Sequence, residues 1–430
     1  MLEKANGASL RLPHIESCAR NSARGVAQLL SNLQSPSLFS EYSWQDWLTI
    51  TPPYDEVDFQ TTDVTTRFSR NGYEWDIHAL LYRPRKEVDA SIAVVVIHGG
   101  AGSSRGKDTT PDGRPGISRV LASQGFTVLS VDYVGHYPLG GIWTIPVAER
   151  QPIYLLDRKI SETEILDRSR KCTFNVHVQG TAQLVDEHLA GRDLLGFGHS
   201  TGGPMTVALH AFTKTAKVIG LIGFGSGGPQ GWRKDWLEQT KQTYRDFPID
   251  HISRRSVKAF REAGYEGPAE VCPWGGAEGY VAWANYVRSQ IKTGLCDNQL
   301  LGAVKKLQEY PPLTGLPSAE YLDYLEEQDH AWLSSIGVLL LCSENDRPHW
   351  IIGDRLEDKY DVYMGQRYTR FTPRVQVIYV PKYSHYGIQE LFNEKIAYVW
   401  LWAWKSGFFE AKVIKQKSKS HTEWSGGTQC

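Results

Sequence analysis

The chain alternates short apolar runs with amphipathic stretches, and this pattern predicts a layered α/β domain. Residues 73–84 alternate apolar and polar positions, as in an antiparallel strand with one buried face. Residues 92–97 (IAVVVI) are continuously apolar, which is typical of a strand buried on both faces of a parallel sheet. Five further apolar runs predict more strands, at residues 126–131, 194–197, 218–224, 338–341 and 375–380.

Helical patterns lie between the predicted strands. Ile117 and Leu121 fall on one helix face, as do Val178 and Val185 further along the chain. Each such helix would cover the sheet as a right-handed crossover between parallel strands. Another amphipathic helix is predicted near residues 23–33, before the first strand. The sequence therefore predicts a mostly parallel sheet with helices on both faces.

One long segment departs from this pattern. Residues 228–335 are helical in character and rich in Trp and Tyr, and because core strands flank them, we expect a helical cap inserted into one domain. The aromatic side chains could line a substrate pocket, with Trp274 and Trp283 as candidate binding residues, or could pack only against each other. The other predicted divisions are an N-terminal extension (1–52), two core parts (53–227 and 336–411) and a polar tail (412–430).

The composition excludes several classes of protein. With 41% hydrophobic and 22% charged residues, the chain falls in the range of globular domains and can bury a full core. A net charge of -1 gives no basic surface for nucleic acid. No apolar run is long enough for a membrane span, and the N-terminus lacks the apolar region of a signal peptide. We expect a cytoplasmic protein that acts on a small molecule, with its oligomeric state left open.

The cysteines give no sign of a metal site or a disulfide framework. They are scattered along the chain without CxxC spacing, which favours reduced thiols. The cysteines therefore imply no metal. The six positions are Cys18, Cys172, Cys272, Cys296, Cys342 and Cys430.

The strongest chemical signal is the sequence Gly-His-Ser-Thr-Gly at residues 198–202, between an apolar strand and a helical stretch. A nucleophile on a sharp strand-to-helix turn needs small neighbours, and glycine stands on both sides of Ser200. The helix that follows would direct its first N–H groups at negative charge. A Gly-rich turn of no function can show the same short pattern, but the flanking strand and helix favour a nucleophile.

Four other polar segments follow predicted strands. The first is glycine-rich, but the GxxxxGK[ST] spacing of a phosphate-binding loop is absent from it. The segments are residues 98–102 (HGGAG), 132–136 (DYVGH), 342–348 (CSENDRP) and 381–387 (PKYSHYG).

Together these motifs resemble those of the alpha/beta-hydrolase superfamily, from about residue 73 to residue 409 outside the cap. The resemblance implies an α/β-hydrolase fold with Ser200 as nucleophile, His385 as general base and Asp346 as the acid that orients the imidazole. Glu344 is the alternative acid, because it lies in the same loop. The chain order of serine, acid and histidine is that of the superfamily.

The resemblance also implies an oxyanion hole, formed by the backbone N–H groups of Gly100 and Thr201. Ala101 stands where the HGG-type loop usually has a third glycine, so the choice of donors stays open. His136 lies in a turn similar to the DxxGxG turn of the superfamily, and we interpret it as a pocket residue rather than a catalyst. The extension, cap and tail match no named subfamily.

The implied activity is hydrolysis of a carboxylic ester through an acyl-enzyme, without a cofactor. The aromatic cap favours a fairly large apolar or aromatic substrate. The same residues would also serve a thioester, lactone, amide or carbon–carbon bond hydrolase, or an acyltransferase. A catalytically silent binding protein is the alternative from another class. Epoxide hydrolases and dehalogenases are disfavoured, because they use Asp where Ser200 stands.

Overall fold

The fold is described from a computed structural model. Most of the predicted cap, with Trp274 and Trp283, and the predicted tail lie outside the described residues. The structure describes residues 15–99, 104–110, 112–134, 174–200, 202–225, 268, 270–272, 334–346, 362, 365–366 and 368–409.

The described strands form one sheet. They are β1 (Phe39–Glu41), β2 (Phe59–Arg70), β3 (Tyr73–Pro84), β4 (Ile92–Ile97), β5 (Thr127–Val131), β6 (Asp193–His199), β7 (Lys217–Phe224), β8 (Gly337–Asn345) and β9 (Val375–Ser384). Their order in the sheet is β1-β9-β8-β7-β6-β4-β5-β3-β2. β3 is antiparallel to both β2 and β5, and the other neighbouring pairs are parallel. The sheet is therefore mostly parallel, as predicted.

Helices cover both faces of this sheet. They are α1 (Ile15–Gln34), α2 (Trp44–Leu48), α3 (Arg105–Asp108), α4 (Ile117–Ser123), α5 (Phe174–His188), α6 (Gly202–Leu209) and α7 (Glu394–Lys405). Buried side chains of α5 and α6 join the core on one face, and those of α1, α4 and α7 join the core on the other. None of these helices combines the length and the apolar character needed to cross a membrane.

The central strand β4 shows why its sequence is apolar throughout. Val95 and Ile97 belong to the core on one face of the sheet, whereas Val94 and Val96 belong to the core on the other. Successive side chains of a strand point to opposite faces, so a strand covered on both faces needs an apolar residue at every position. Burying each Val or Ile side chain stabilises the fold by about 1.5–3 kcal/mol.

Two of the strands, β1 and β2, were not predicted from the sequence. β2 is largely polar and exposed, but it pairs with β3 through a two-residue turn at Asn71 and Gly72, both with positive φ (53° and 78°). Asn-Gly is the favoured sequence of such hairpin turns. β1 lies within the predicted N-terminal extension, and it adds a parallel edge strand beside β9.

The strand order contains a switch point beside β4. β4 lies between β5 and β6, so the chain moves to opposite sides of β4 in successive crossovers. Ligands of open α/β sheets bind outside the carboxyl ends of the strands at such a switch point. Ser200 follows β6, Asp346 follows β8 and His385 follows β9, all at this edge.

Candidate active site

Ser200 occupies a strained turn between β6 and α6. Its φ is +54°, in the left-handed region that a residue with a Cβ atom rarely adopts. The Ser200 N–H donates to the carbonyl oxygen of Phe224 at 3.3 Å, and its own carbonyl accepts from Gly203 N–H at 3.0 Å. Such strain persists where surrounding structure imposes it, and it is concentrated at functional sites.

The two glycines that flank this turn are required by close backbone contacts. A Cβ atom at Gly202 would lie 2.3 Å from the backbone oxygen of Ile97, and one at Gly198 would lie 2.5 Å from the Gly203 backbone. Neither contact could be relieved by turning a side chain. The physical reason for glycine on both sides of Ser200 is thus the packing of α6 against the ends of β4 and β6.

His385 and Asp346 form a buried pair. The His385 Nδ1 atom lies 3.0 Å from both Asp346 carboxylate oxygens. Only 4% of His385 and 1% of Asp346 is exposed. A carboxylate at Nδ1 selects the tautomer with the proton on that nitrogen, so Nε2 is the nitrogen that can act as a base.

Glu344, the alternative acid, lies elsewhere. It belongs to the end of β8, and its Oε2 atom accepts a hydrogen bond from the backbone N–H of Lys382 at 2.6 Å. Its carboxylate therefore caps the neighbouring backbone of β9, while that of Asp346 is the one next to the imidazole.

Gly225 lies behind the His385–Asp346 pair, and sequence reasoning did not single it out. It directly follows β7 with a φ of +50°. A Cβ atom at Gly225 would lie 2.4 Å from Asp346 Oδ2 and 3.1 Å from His385 Nδ1. Because Ser200 N–H is bonded to the preceding residue, Phe224, the three predicted residues converge on the carboxyl end of β7.

A family model covers most of the chain. The model of the alpha/beta hydrolase family matches residues 94–394, which include Ser200, Asp346 and His385. The chain belongs to the alpha/beta hydrolase family. No curated protein matches the chain in sequence.

Solved structures with a similar fold share little sequence with this alpha/beta hydrolase. A probable hydrolytic enzyme from Pseudomonas aeruginosa PAO1 is 16% identical and covers 81% of this chain and 97% of its own, with a TM-score of 0.46. Bromoperoxidase from Bacillus anthracis is 12% identical, with 80% and 100% covered and a TM-score of 0.48. Brefeldin A esterase, a bacterial homologue of human hormone sensitive lipase, is 15% identical, with 94% and 88% covered and a TM-score of 0.37.

Five other predicted site residues of this alpha/beta hydrolase lie outside the described residues. They include both predicted oxyanion donors and the three predicted pocket residues. These residues are Gly100, Thr201, His136, Trp274 and Trp283.

His98 and Ser104, which lie on either side of residues 100–103, are both hydrogen-bonded to the turn after β5. Tyr133 Oη donates to the carbonyl oxygen of His98 at 2.8 Å. The Asp132 carboxylate accepts from Ser104 N–H at 2.5 Å and from Ser104 Oγ at 2.7 Å. The first two residues of the 132–136 turn in this alpha/beta hydrolase thus hold neighbouring backbone in place.

A buried histidine extends this anchor. His78 Nδ1 lies 2.7 Å from Asp132 Oδ2, and His78 Nε2 lies 3.0 Å from Asp63 Oδ1. Carboxylates accept at both nitrogens, so the ring carries both protons and a positive charge. Burial opposes this charge, but the hydrogen bonds and charges of Asp132 and Asp63 outweigh it and raise the pKa of His78 above 6.5.

We expect His78→Gln to destabilise the fold most at low pH. A base whose pKa is raised on folding stabilises the native state fully below its unfolded pKa, near 6.5. That contribution is lost as the pH rises through the folded pKa. Urea unfolding of wild type and His78→Gln should be measured from about pH 6 to about pH 9. The difference between their free energies of unfolding should become smaller as the pH rises. If this difference stayed constant with pH, His78 would not be charged in the folded protein.

We expect Gly225→Ala to slow the reaction of Ser200 with a fluorophosphonate probe, because the new methyl group would displace Asp346 or His385. Gly191→Ala is the matched control, since Gly191 also has positive φ (+76°) but an added Cβ atom would meet nothing within 4 Å. Both variants should lose roughly 1–2 kcal/mol of stability through backbone strain. Only Gly225→Ala should be labelled more slowly than wild type. Equal labelling rates in the two variants would show that Gly225 is not packed tightly against the His385–Asp346 pair.

Proposed function

We propose that this alpha/beta hydrolase is a serine hydrolase that cleaves a carboxylic ester of a fairly large apolar or aromatic molecule. The observation that carries the proposal is the convergence of the strained Ser200 turn with the buried His385–Asp346 pair at the end of β7. A serine, a histidine and a carboxylate in this chain order are the parts needed for acyl transfer.

The proposed reaction has two steps. His385 Nε2 takes the Ser200 proton as Ser200 Oγ attacks the ester carbonyl, and the proton then passes to the departing alcohol. Water attacks the resulting acyl-enzyme, again with His385 as base, and releases the carboxylic acid and Ser200. Asp346 accepts the Nδ1–H of His385 throughout and stabilises the imidazolium that forms in each step.

Stabilisation of the oxyanion is assigned to the backbone N–H groups of Gly100 and Thr201. Support comes from the anchoring of the neighbouring His98 and Ser104 by the turn after β5. A donor that is fixed before the reaction costs no reorganisation, and each one accelerates the reaction by about 100-fold to 1000-fold.

The substrate class rests on the aromatic residues of 228–335, which would bind apolar acyl or alcohol groups. Thioester, lactone, amide or carbon–carbon bond hydrolysis and acyl transfer remain the alternatives on the same three residues. A panel of esters with matched thioesters, lactones and amides separates them. Fastest turnover of a bulky ester supports the proposal, whereas a preference for another bond would change the substrate class but not the nucleophile.

Labelling of the purified full chain with a fluorophosphonate probe tests the mechanism directly. An activated serine attacks phosphorus, expels fluoride and keeps the phosphonyl group, so peptide mass spectrometry should locate the added mass on Ser200. A chain that binds esters but does not react with the probe would be the catalytically silent binding protein instead.

A further inference from the structure

Lys107 is a buried lysine close to the candidate nucleophile. It lies on the short helix α3, it is 2% exposed, and its Nζ atom is 3.3 Å from His199 Nδ1. Lysine is almost never fully buried unless it is paired, because its charge loses hydration. His199 directly precedes Ser200. The unfavourable burial of Lys107 therefore occurs next to the turn that presents the serine.

The other nitrogen of His199 fixes the direction of the hydrogen bonds. His199 Nε2 lies 2.7 Å from the backbone carbonyl oxygen of His385. A carbonyl oxygen only accepts, so Nε2 carries the proton and Nδ1 presents a lone pair to Lys107 Nζ. Lys107 therefore donates to His199, and His199 donates to the main chain of His385.

This contact joins two parts of the site that the sheet keeps apart. β6, which leads to Ser200, and β9, which leads to His385, are separated by β7 and β8. The His199 ring spans that gap and also packs against the His385 ring, with centroids 4.9 Å apart. One side chain thus connects the turn of the nucleophile to both the backbone and the imidazole of the base.

We propose that Lys107 and His199 are positioning residues that hold His385 in the correct position relative to Ser200. The inference rests on the proposed function, because it assigns a purpose to two residues around the same reaction. Neither residue takes part in the bond changes. Lys107 fixes the orientation of the His199 ring, and the His199 N–H fixes the loop that begins at His385.

A contribution to stability does not explain why a lysine is buried at position 107. Burial lowers the pKa of Lys107 to about 7 from its ordinary value of 10.5, so folding disfavours its charged form. The amine donates to His199 in either protonation state. An apolar residue of similar volume would avoid the cost of desolvation, as replacements of other buried charges have shown. A residue kept at such a cost is expected where it serves activity.

The test measures the second-order rate constant for fluorophosphonate labelling of Ser200 in the full chain. His199→Gln places an amide N–H near the position of Nε2 and can still donate to the His385 carbonyl. His199→Asn reaches only the position of Nδ1, and His199→Phe fills the ring volume without a donor. A misplacement of 1 Å costs on the order of 100-fold in rate, so Asn and Phe should slow labelling by about that factor. Gln should keep most of the wild-type rate.

Lys107→Met separates positioning from structural support. Met keeps the volume of the stem but removes the donor, so we expect slower labelling together with an unfolding temperature at least equal to that of wild type at pH 6. Lys214→Met at an exposed position is the control and should change neither quantity. A lower unfolding temperature for Lys107→Met, with an unchanged labelling rate of the folded protein, would overturn the proposal.

The outcomes also separate this inference from the proposed function. A wild-type chain that fails to label would overturn the serine hydrolase mechanism and the positioning role with it. A labelled wild type with equal rates for the Gln, Asn and Phe variants of His199 would overturn the positioning role alone. Rescue by Gln only would support both.

Discussion

Replacing Ser200 by Ala is expected to abolish fluorophosphonate labelling and to lower turnover by about a million-fold, the scale of losing a serine nucleophile. The fold should persist, because the glycines and backbone contacts around the turn set its geometry and Ala removes only a hydroxyl group. Circular dichroism during heating checks the fold, and turnover of the best ester of the panel checks the activity.

Ser123→Ala provides the control for this experiment. Its hydroxyl group donates to a backbone carbonyl within α4, far from Ser200 in sequence and on a different element. The control should label and turn over like wild type. If Ser200→Ala kept more than about a thousandth of the activity, the nucleophile would have to be sought elsewhere.

Asp346→Asn is expected to reduce turnover by roughly 10⁴-fold without unfolding the chain, as in other enzymes in which the acid of such a triad is made neutral. The amide can still contact His385 Nδ1, but it favours the wrong imidazole tautomer and cannot stabilise the imidazolium. Turnover measured over a range of ester concentrations should show the loss in kcat.

Glu344→Gln is the matched control for the acid. Its carboxylate accepts from the Lys382 backbone and not from the imidazole, and an amide oxygen can accept the same bond. We therefore expect the turnover of Glu344→Gln to stay within about tenfold of wild type. The large loss is expected only for the carboxylate that sets the imidazole tautomer. Exchanged outcomes for the two variants would make Glu344 the acid and leave Ser200 and His385 unaffected.

The sheet was largely predictable because a strand covered on both faces must be apolar at every position. β4 is such a strand, and so is β7 after its exposed first residue, Lys217; the pattern located both within a residue or so. β2 fails this rule because most of it faces solvent, although Asn71-Gly72 marks its hairpin with β3. β1 has only three residues and depends on pairing with β9, so no local pattern could reveal it.

The candidate site was predictable only where chemistry and strand ends coincide. Ser200, Asp346 and His385 each follow a strand, and position therefore singled them out. Lys107 gave no such signal, because lysine is normally exposed and its burial depends on tertiary packing. Gly225 was missed for a similar reason, since the carboxylate that crowds it comes from a distant part of the chain.

The edge strand β1 has a consequence for association between copies of the chain. It covers β9, the strand that leads to His385, through parallel pairing at Phe39, Ser40 and Glu41. An uncovered strand edge offers unpaired N–H and C=O groups to any other strand, and proteins protect such edges with short or charged segments. Three residues ending in a glutamate make a poor template for further pairing. A chain shortened beyond β1 would therefore expose the edge of β9, the strand next to its own candidate base, to pairing with other strands.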